Sequence, residues 1–315
     1  MYRRYLLSAL ILVVLVAACR RPNAADYVTE TLDIDGVTRT YHIHFPPEFG
    51  KTDAAPLVLA LHGGGGQGLK FNQSTADTLI PAAEAQGVVL VFPEGIDNQW
   101  CDGRSEHLAN DRNCEDVDDL AFLSAVIDHM IADYGVDPAS VYATGISNGG
   151  CMSVRLAVDL TDKIAAVAPV AAQLSVALAD AAPSQPISIM IVNGTDDPIV
   201  PFDGWEVRLF DFSRSRGEIL STEETIERFR GYDGCATTPD VVELPDSDAE
   251  DGTAVTIETY TGCANNTEVV LVRVVGGGHT WPGGQPYLSP KLVGVVSQEI
   301  NASELILDFF LDHAR

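Results

Sequence analysis

Short, nearly unbroken apolar runs recur along the chain, at residues 57–61, 88–92, 141–144, 164–170, 187–192 and 269–275. A strand with one face in water alternates apolar and polar residues, whereas an unbroken run belongs to a strand covered on both faces. Between these runs lie segments with helical spacing. Apolar residues at 120, 123, 127, 130, 131 and 134 form one stripe, and Asp118 or Asp119 is placed to cap its start. The segment ending near Gln86, and residues 147–160, 221–231 and 304–313, also read as helices. Strands alternating with helices predict an α/β fold, a mostly parallel central sheet with helices on both faces. Upstream, Tyr41, Ile43 and Phe45 alternate with His42 and His44, so residues 28–45 read as an opening hairpin turning at Asp35-Gly36. Residues 97–116 read as a polar loop and 200–265 as an embellishment of the domain.

The first residues carry a different signal. Arg3 and Arg4 precede an apolar run over 5–16, followed by Ala17 and Ala18. The run is short of the roughly 20 residues that span a bilayer, so it reads as an export signal. Residues 16–19 resemble a bacterial lipobox, which implies lipid on Cys19. The expected organisation is a lipoprotein-type signal peptide over 1–18, a tether over 19–27, and one catalytic domain over 28–315. The expected location is outside the cytoplasm, lipid-anchored to the bacterial envelope or extracellular, with membrane contact through the lipid only.

Export permits disulfides. Cys101 and Cys114 flank one polar loop, and Cys235 and Cys263 flank an acidic excursion; both pairs are plausible local bridges. Cys151 is left over and is expected to be a buried, inert thiol. With 45 acidic against 19 basic residues the formal charge is −26, which excludes nucleic acid, whose phosphates require Lys and Arg. No obligate protein partner is evident.

Gly145-Ile146-Ser147-Asn148-Gly149 fits G-x-S-x-G and sits between an apolar run and a helical segment. That context allows a sharp strand-to-helix turn with the serine hydroxyl exposed. A serine needs a base to take its proton and a carboxylate to orient that base. On a fold of this kind the order is Ser, acid, His. Of the two histidines after Ser147, His313 lies at the C-terminus, and His279 follows the last apolar run in a glycine-rich loop. His279 is therefore the expected base. Asp196 and Asp197 both follow the run at 187–192 and compete as the acid. The expected oxyanion donors are the Asn148 amide and amides within Gly63–Gly66, with Gly64 and Gly65 as the candidates.

Other features carry less. Asp246, Asp248, Glu250 and Asp251 have Asp251 where a calcium loop needs glycine and Ile257 where it needs glutamate, so they read as a solvated loop. His42 and His44 share a strand face without a third ligand, and no metal or other cofactor is expected. Trp100 and Trp281 are candidates for substrate binding by stacking, or for packing the pocket wall.

With these residues in view, the chain resembles the polyhydroxybutyrate depolymerase/feruloyl esterase family of α/β-hydrolases. The resemblance rests on Leu61-His62-Gly63-Gly64-Gly65-Gly66, on residues 117–123, on 145–150, on 193–201 and on 276–283. Residues 193–201 are similar to the family's His-Gly-Thr-x-Asp-Pro-x-Val-Pro, and that alignment selects Asp197 over Asp196. Asn193 stands where the family often has His. The resemblance implies an α/β-hydrolase fold and carboxylic ester hydrolysis through an acyl-enzyme, with hydroxyalkanoate oligomers or feruloyl and acetyl esters as substrates. A serine peptidase on the same fold, or a non-catalytic surface lipoprotein, are the alternatives.

Overall fold

The computed structural model describes residues 27–51, 54–107, 112–209 and 213–315. The expected signal peptide, the lipid-bearing Cys19 and nearly all of the tether lie outside the described residues.

The chain opens with β1 (Val28–Ile34) and β2 (Val37–His44), paired antiparallel about Asp35 and Gly36 at φ 51° and 83°. Two left-handed residues in a two-residue loop give the turn whose twist matches that of the strands. Next come β3 (Leu57–Leu61), α1 (Gly68–Ser74), α2 (Leu79–Gln86) and β4 (Val89–Pro93). α3 (Asp119–Tyr134), β5 (Val141–Ile146), α4 (Asn148–Asp159), β6 (Ala166–Val170) and β7 (Ser188–Gly194) follow. A two-stranded ribbon of β8 (Trp205–Glu206) and β9 (Glu218–Ile219) precedes α5 (Thr222–Asp233). The chain ends with β10 (Asp240–Glu243), β11 (Ala254–Tyr260), β12 (Val269–Val275), α6 (Pro290–Val293) and α7 (Ala302–Leu311).

Ten strands form one sheet in the order β1-β2-β4-β3-β5-β6-β7-β12-β11-β10. From β4 to β12 the pairings are parallel, and the two outer strands at each edge are antiparallel. The apolar runs are the buried middle. Leu57, Leu59 and Leu61 pack into one core with α3, α4 and α5, while Val58 and Ala60 of the same strand pack into a second core with α1, α2 and α7. Each strand thus feeds both layers by simple alternation. Full burial of a leucine or valine contributes about 1.5–3 kcal/mol, so slipping such a strand by one residue is disfavoured by the mismatch on both faces.

One expected helix is two. The segment ending at Gln86 breaks at Ala76 and Asp77, both at positive φ. Asn72 holds the break: its amide donates to Asp77 and its oxygen accepts from the Ile80 amide, which starts the second helix. Asp118 caps α3 through the Ala121 amide, which leaves Asp119 to turn inward.

Both cysteine pairs are disulfides, Cys101–Cys114 and Cys235–Cys263. Cys151 is a free, buried thiol, and burial pushes its pKa up to about 11, so it is not a thiolate near neutral pH. His42 is engaged by Thr29 and Glu94, and His44 by Glu84.

Asp233 ties α5 to the start of β7, accepting from the Ile187 amide and the Thr267 hydroxyl. Burial raises its pKa from 3.8 to about 6. The folded protein therefore binds a proton here more tightly than the unfolded chain, and stability falls as pH rises from about 4 to about 6. Asp233→Asn removes that titration. Its urea midpoint is expected to gain on the wild type as pH rises from 4 to 7, and parallel curves would refute the assignment.

Candidate active site

The cavity opens at the carboxyl ends of the parallel strands, where ligands bind on sheets of this kind. It measures about 1010 Å³, and Ser147 and His279 both line it. Ser147 follows β5 directly, at φ 57° and ψ −120°, a strained turn that throws its side chain clear of the sheet. Its amide donates to Val170 and its carbonyl accepts from Cys151, so both neighbouring elements hold the strain. The turn demands flanking glycines. A Cβ on Gly149 would sit 2.1 Å from the Leu61 carbonyl oxygen, and one on Gly145 would sit 2.5 Å from the same atom.

His279 and Asp197 come from the loops after β12 and β7. Their loops interlock closely: a Cβ on Gly194 would lie 2.2 Å from the Gly277 carbonyl oxygen, and the Asp196 amide donates to that same oxygen. The His279 ring places Nδ1 2.7 Å from Asp197 Oδ2, with both side chains almost wholly buried. The other Asp197 oxygen accepts from the Ile199 and Val200 amides, each at 2.8 Å. Asp196 is exposed and is met by the Thr195 hydroxyl. The pairing with His279 thus falls to Asp197.

The glycine loop after β3 is held by His62. The Gly95 amide donates to His62 Nε2, so the proton sits on Nδ1, which donates to the Gly63 carbonyl. Burial lowers the His62 pKa and keeps the ring neutral, as this arrangement requires. Gly65 is not a free donor, because its amide is spent on the Asn98 carbonyl at 2.7 Å. The Gly64 amide is in no such bond among the described residues, and Gly64 lies against Asn148: a Cβ there would be 3.6 Å from the Asn148 Cβ.

The Asn148 side chain clamps the neighbouring loop of the cavity wall. It accepts from the Trp100 amide and donates to the Trp100 carbonyl and to Asp102. Asp119 holds the next residue, accepting from the Cys101 amide at 2.8 Å while pairing with Arg39 at 2.6 Å. The Cys101–Cys114 bridge closes the same loop.

Trp281 requires correction. Its indole is 2% exposed, packs edge-on against Phe71 and donates to Ser303, and it does not line the cavity. Trp100 does line the cavity, but its ring lies tilted against His62 and its Nε1 donates to the His62 carbonyl, so it is a wall rather than a stacking platform. Sequence reasoning missed the apolar walls at Ile199, Val207, Leu288 and Leu292 and the arginines at 104, 214 and 216. No periodicity marks these residues, which come from irregular loops except for Leu292 in the single turn of α6.

Fold and site together define a carboxylic ester hydrolase of the α/β-hydrolase class. A family model described as "Esterase PHB depolymerase" matches residues 39–210. The chain belongs to that family. It is 35% identical to NocK of Nocardia uniformis subsp. tsuyamanensis over 93% of this chain and 85% of that protein. It is 28% identical to a feruloyl esterase C of Aspergillus niger, over 66% of each chain. Among solved structures, an acetyl xylan esterase from Aspergillus awamori superposes with a TM-score of 0.55 at 14% identity, over 90% of this chain and 98% of that one. At that identity the likeness speaks for the fold.

Proposed function

We propose that the ester hydrolase works through an acyl-enzyme, with Ser147 as nucleophile, His279 as base and Asp197 as the acid that orients it. The observation that carries this reading is the convergence of a strained serine and a buried His–Asp pair on one cavity. Asp197 fixes the proton of His279 on Nδ1, which leaves Nε2 to take the Ser147 proton as Oγ attacks the ester carbonyl. The same proton then goes to the leaving alkoxide, and a water activated by His279 releases the acid. The Asn148 and Gly64 amides are the proposed donors to the oxyanion; Gly65 supports the loop instead.

The proposed substrates are hydroxyalkanoate oligomers or feruloyl and acetyl esters. Residues 28–315 act as one catalytic domain in this reading, exported behind the signal at 1–18 and lipid-anchored at Cys19. Two disulfides fit an oxidising compartment. Hydrolysis of a short-chain nitrophenyl ester, methyl ferulate and a 3-hydroxybutyrate oligomer, beside matched amides, tests the assignment. Ester turnover at least about 100-fold above amide turnover is expected, since no added element grips a peptide among the described residues. Comparable amide turnover would favour a peptidase.

A further inference from the structure

The described lining of the cavity carries the opposite charge to the chain as a whole. The whole chain has a formal charge of −26, yet Arg104, Arg214 and Arg216 line the cavity, and Asp102 is the one carboxylate among its described lining residues. Arg104 is 6% exposed at its side chain. It directs Nε and Nη2 at Asp102 Oδ2, at 2.9 and 2.6 Å, and its Nη1 is buried with no hydrogen-bond partner among the described residues. A buried guanidinium N–H without an acceptor is costly, and such a group persists where something else completes it.

The Arg216 guanidinium stands beside it and makes no hydrogen bond or ion pair with any described residue. Its Nη1 lies over Gly64, 3.5 Å from where a Cβ would stand. Its position is fixed by backbone: the Arg216 amide donates to Val207, the Val207 amide donates to Gly217, and Gly217 packs on the Arg104 carbonyl so closely that a Cβ would come within 2.1 Å. Partial burial and the charge of Arg104 both lower the Arg216 pKa, as two crowded cations must. Asp102 is already committed to Arg104 and Asn148. The role of Arg104 in holding Asp102 accounts for one guanidinium; it leaves Arg216 and the orphan Nη1 unexplained.

We propose that Arg216 and Nη1 of Arg104 form a carboxylate-binding subsite beside the oxyanion donors, so that the preferred substrates are esters that also bear a free carboxylate. This rests on the reading of the cavity as the ester site and deepens it. Because Arg216 overlies Gly64, the carboxylate belongs within a few bonds of the ester carbonyl. The free-acid end of a short hydroxyalkanoate oligomer has that spacing, whereas a feruloyl or acetyl ester of a neutral sugar supplies no anion.

The test is calorimetric binding to the Ser147→Ala protein of the 3-hydroxybutyrate dimer, as free acid and as methyl ester. The acid is expected to bind at least about tenfold tighter, as charge-assisted hydrogen bonds provide. Adding Arg216→Gln should abolish the difference, and Arg216→Lys should restore part of it, with melting curves confirming that each variant is folded. Equal binding of acid and methyl ester, equal weakening of both by Arg216→Gln, or no binding of either at millimolar concentration would overturn the subsite. Equal weakening would instead make Arg216 an aid to the oxyanion. Turnover of 4-nitrophenyl acetate by the wild type reports separately on the esterase reading. Turnover without acid preference removes the subsite alone, and acid preference without turnover removes the esterase reading alone.

Discussion

Replacing Ser147 with alanine is expected to lower kcat for ester hydrolysis by about 10⁴- to 10⁶-fold while leaving the melting temperature within a few degrees of wild type. The substitution removes one oxygen and keeps the Cβ, so the strained backbone at φ 57° is asked to hold nothing new. The bonds that fix the turn are backbone bonds, from the Ser147 amide to Val170 and from the Cys151 amide to Ser147, and alanine retains both. What is lost is the oxygen proposed to form the acyl-enzyme. The oxyanion donors and the cavity remain and can still align a water, which is why the residual rate should exceed the uncatalysed one. Steady-state rates on a nitrophenyl ester give the fold-loss, and a phosphonate that labels the wild type should leave the variant unlabelled. Retention of more than about 1% of turnover would mean that another group attacks the ester.

The parts legible in the sequence were those written locally. The parallel strands are buried on both faces, so their apolar runs are unbroken and stand out. Ser147, Asp197 and His279 each follow a strand in a short motif whose glycines are required by close backbone contact, and such motifs survive without knowledge of the fold. The sheet edges were harder. In β10 both Val241 and Val242 are more than half exposed, and β11 alternates apolar and polar residues, so neither carries the signal of a core strand. Trp281 misleads for a related reason. It follows His279 by two residues, yet the chain turns at Gly283, where φ is 74°, and the indole packs against Phe71 and donates to Ser303 of α7. The supporting residues were least visible. Asp119, Asp102, Arg104 and Arg216 act through partners up to 80 or more positions away, as Arg39 and Asp119 do, and only the folded chain brings them together. Asp119 lies in one of the segments that carry the family resemblance, and its inward turn to the Cys101 amide gives that segment a physical task.

Asp197→Asn is expected to lower kcat by about 10⁴-fold through the position of a single proton. One carboxylate oxygen accepts from the Ile199 and Val200 amides, and an asparagine must keep its carbonyl oxygen there or leave two buried donors unpaired. That choice turns the new NH₂ group toward His279 Nδ1, which in the native protein is 2.7 Å from the second carboxylate oxygen. An N–H facing Nδ1 forces that nitrogen to accept, so the ring proton moves to Nε2. Nε2 then has no lone pair with which to take the Ser147 proton. The imidazolium that forms during attack also loses its buried counter-charge. Because asparagine matches aspartate in shape and can serve the same backbone donors, the variant should fold, and its KM for a neutral ester should change far less than its kcat. Asp197→Ala is the useful contrast: it deserts the Ile199 and Val200 amides, and should lose stability by about 1–3 kcal/mol along with activity. Equal activity of Asp197→Asn and wild type would move the acid's role to another carboxylate, and Asp196→Asn, at an exposed position, would be the variant to measure beside it.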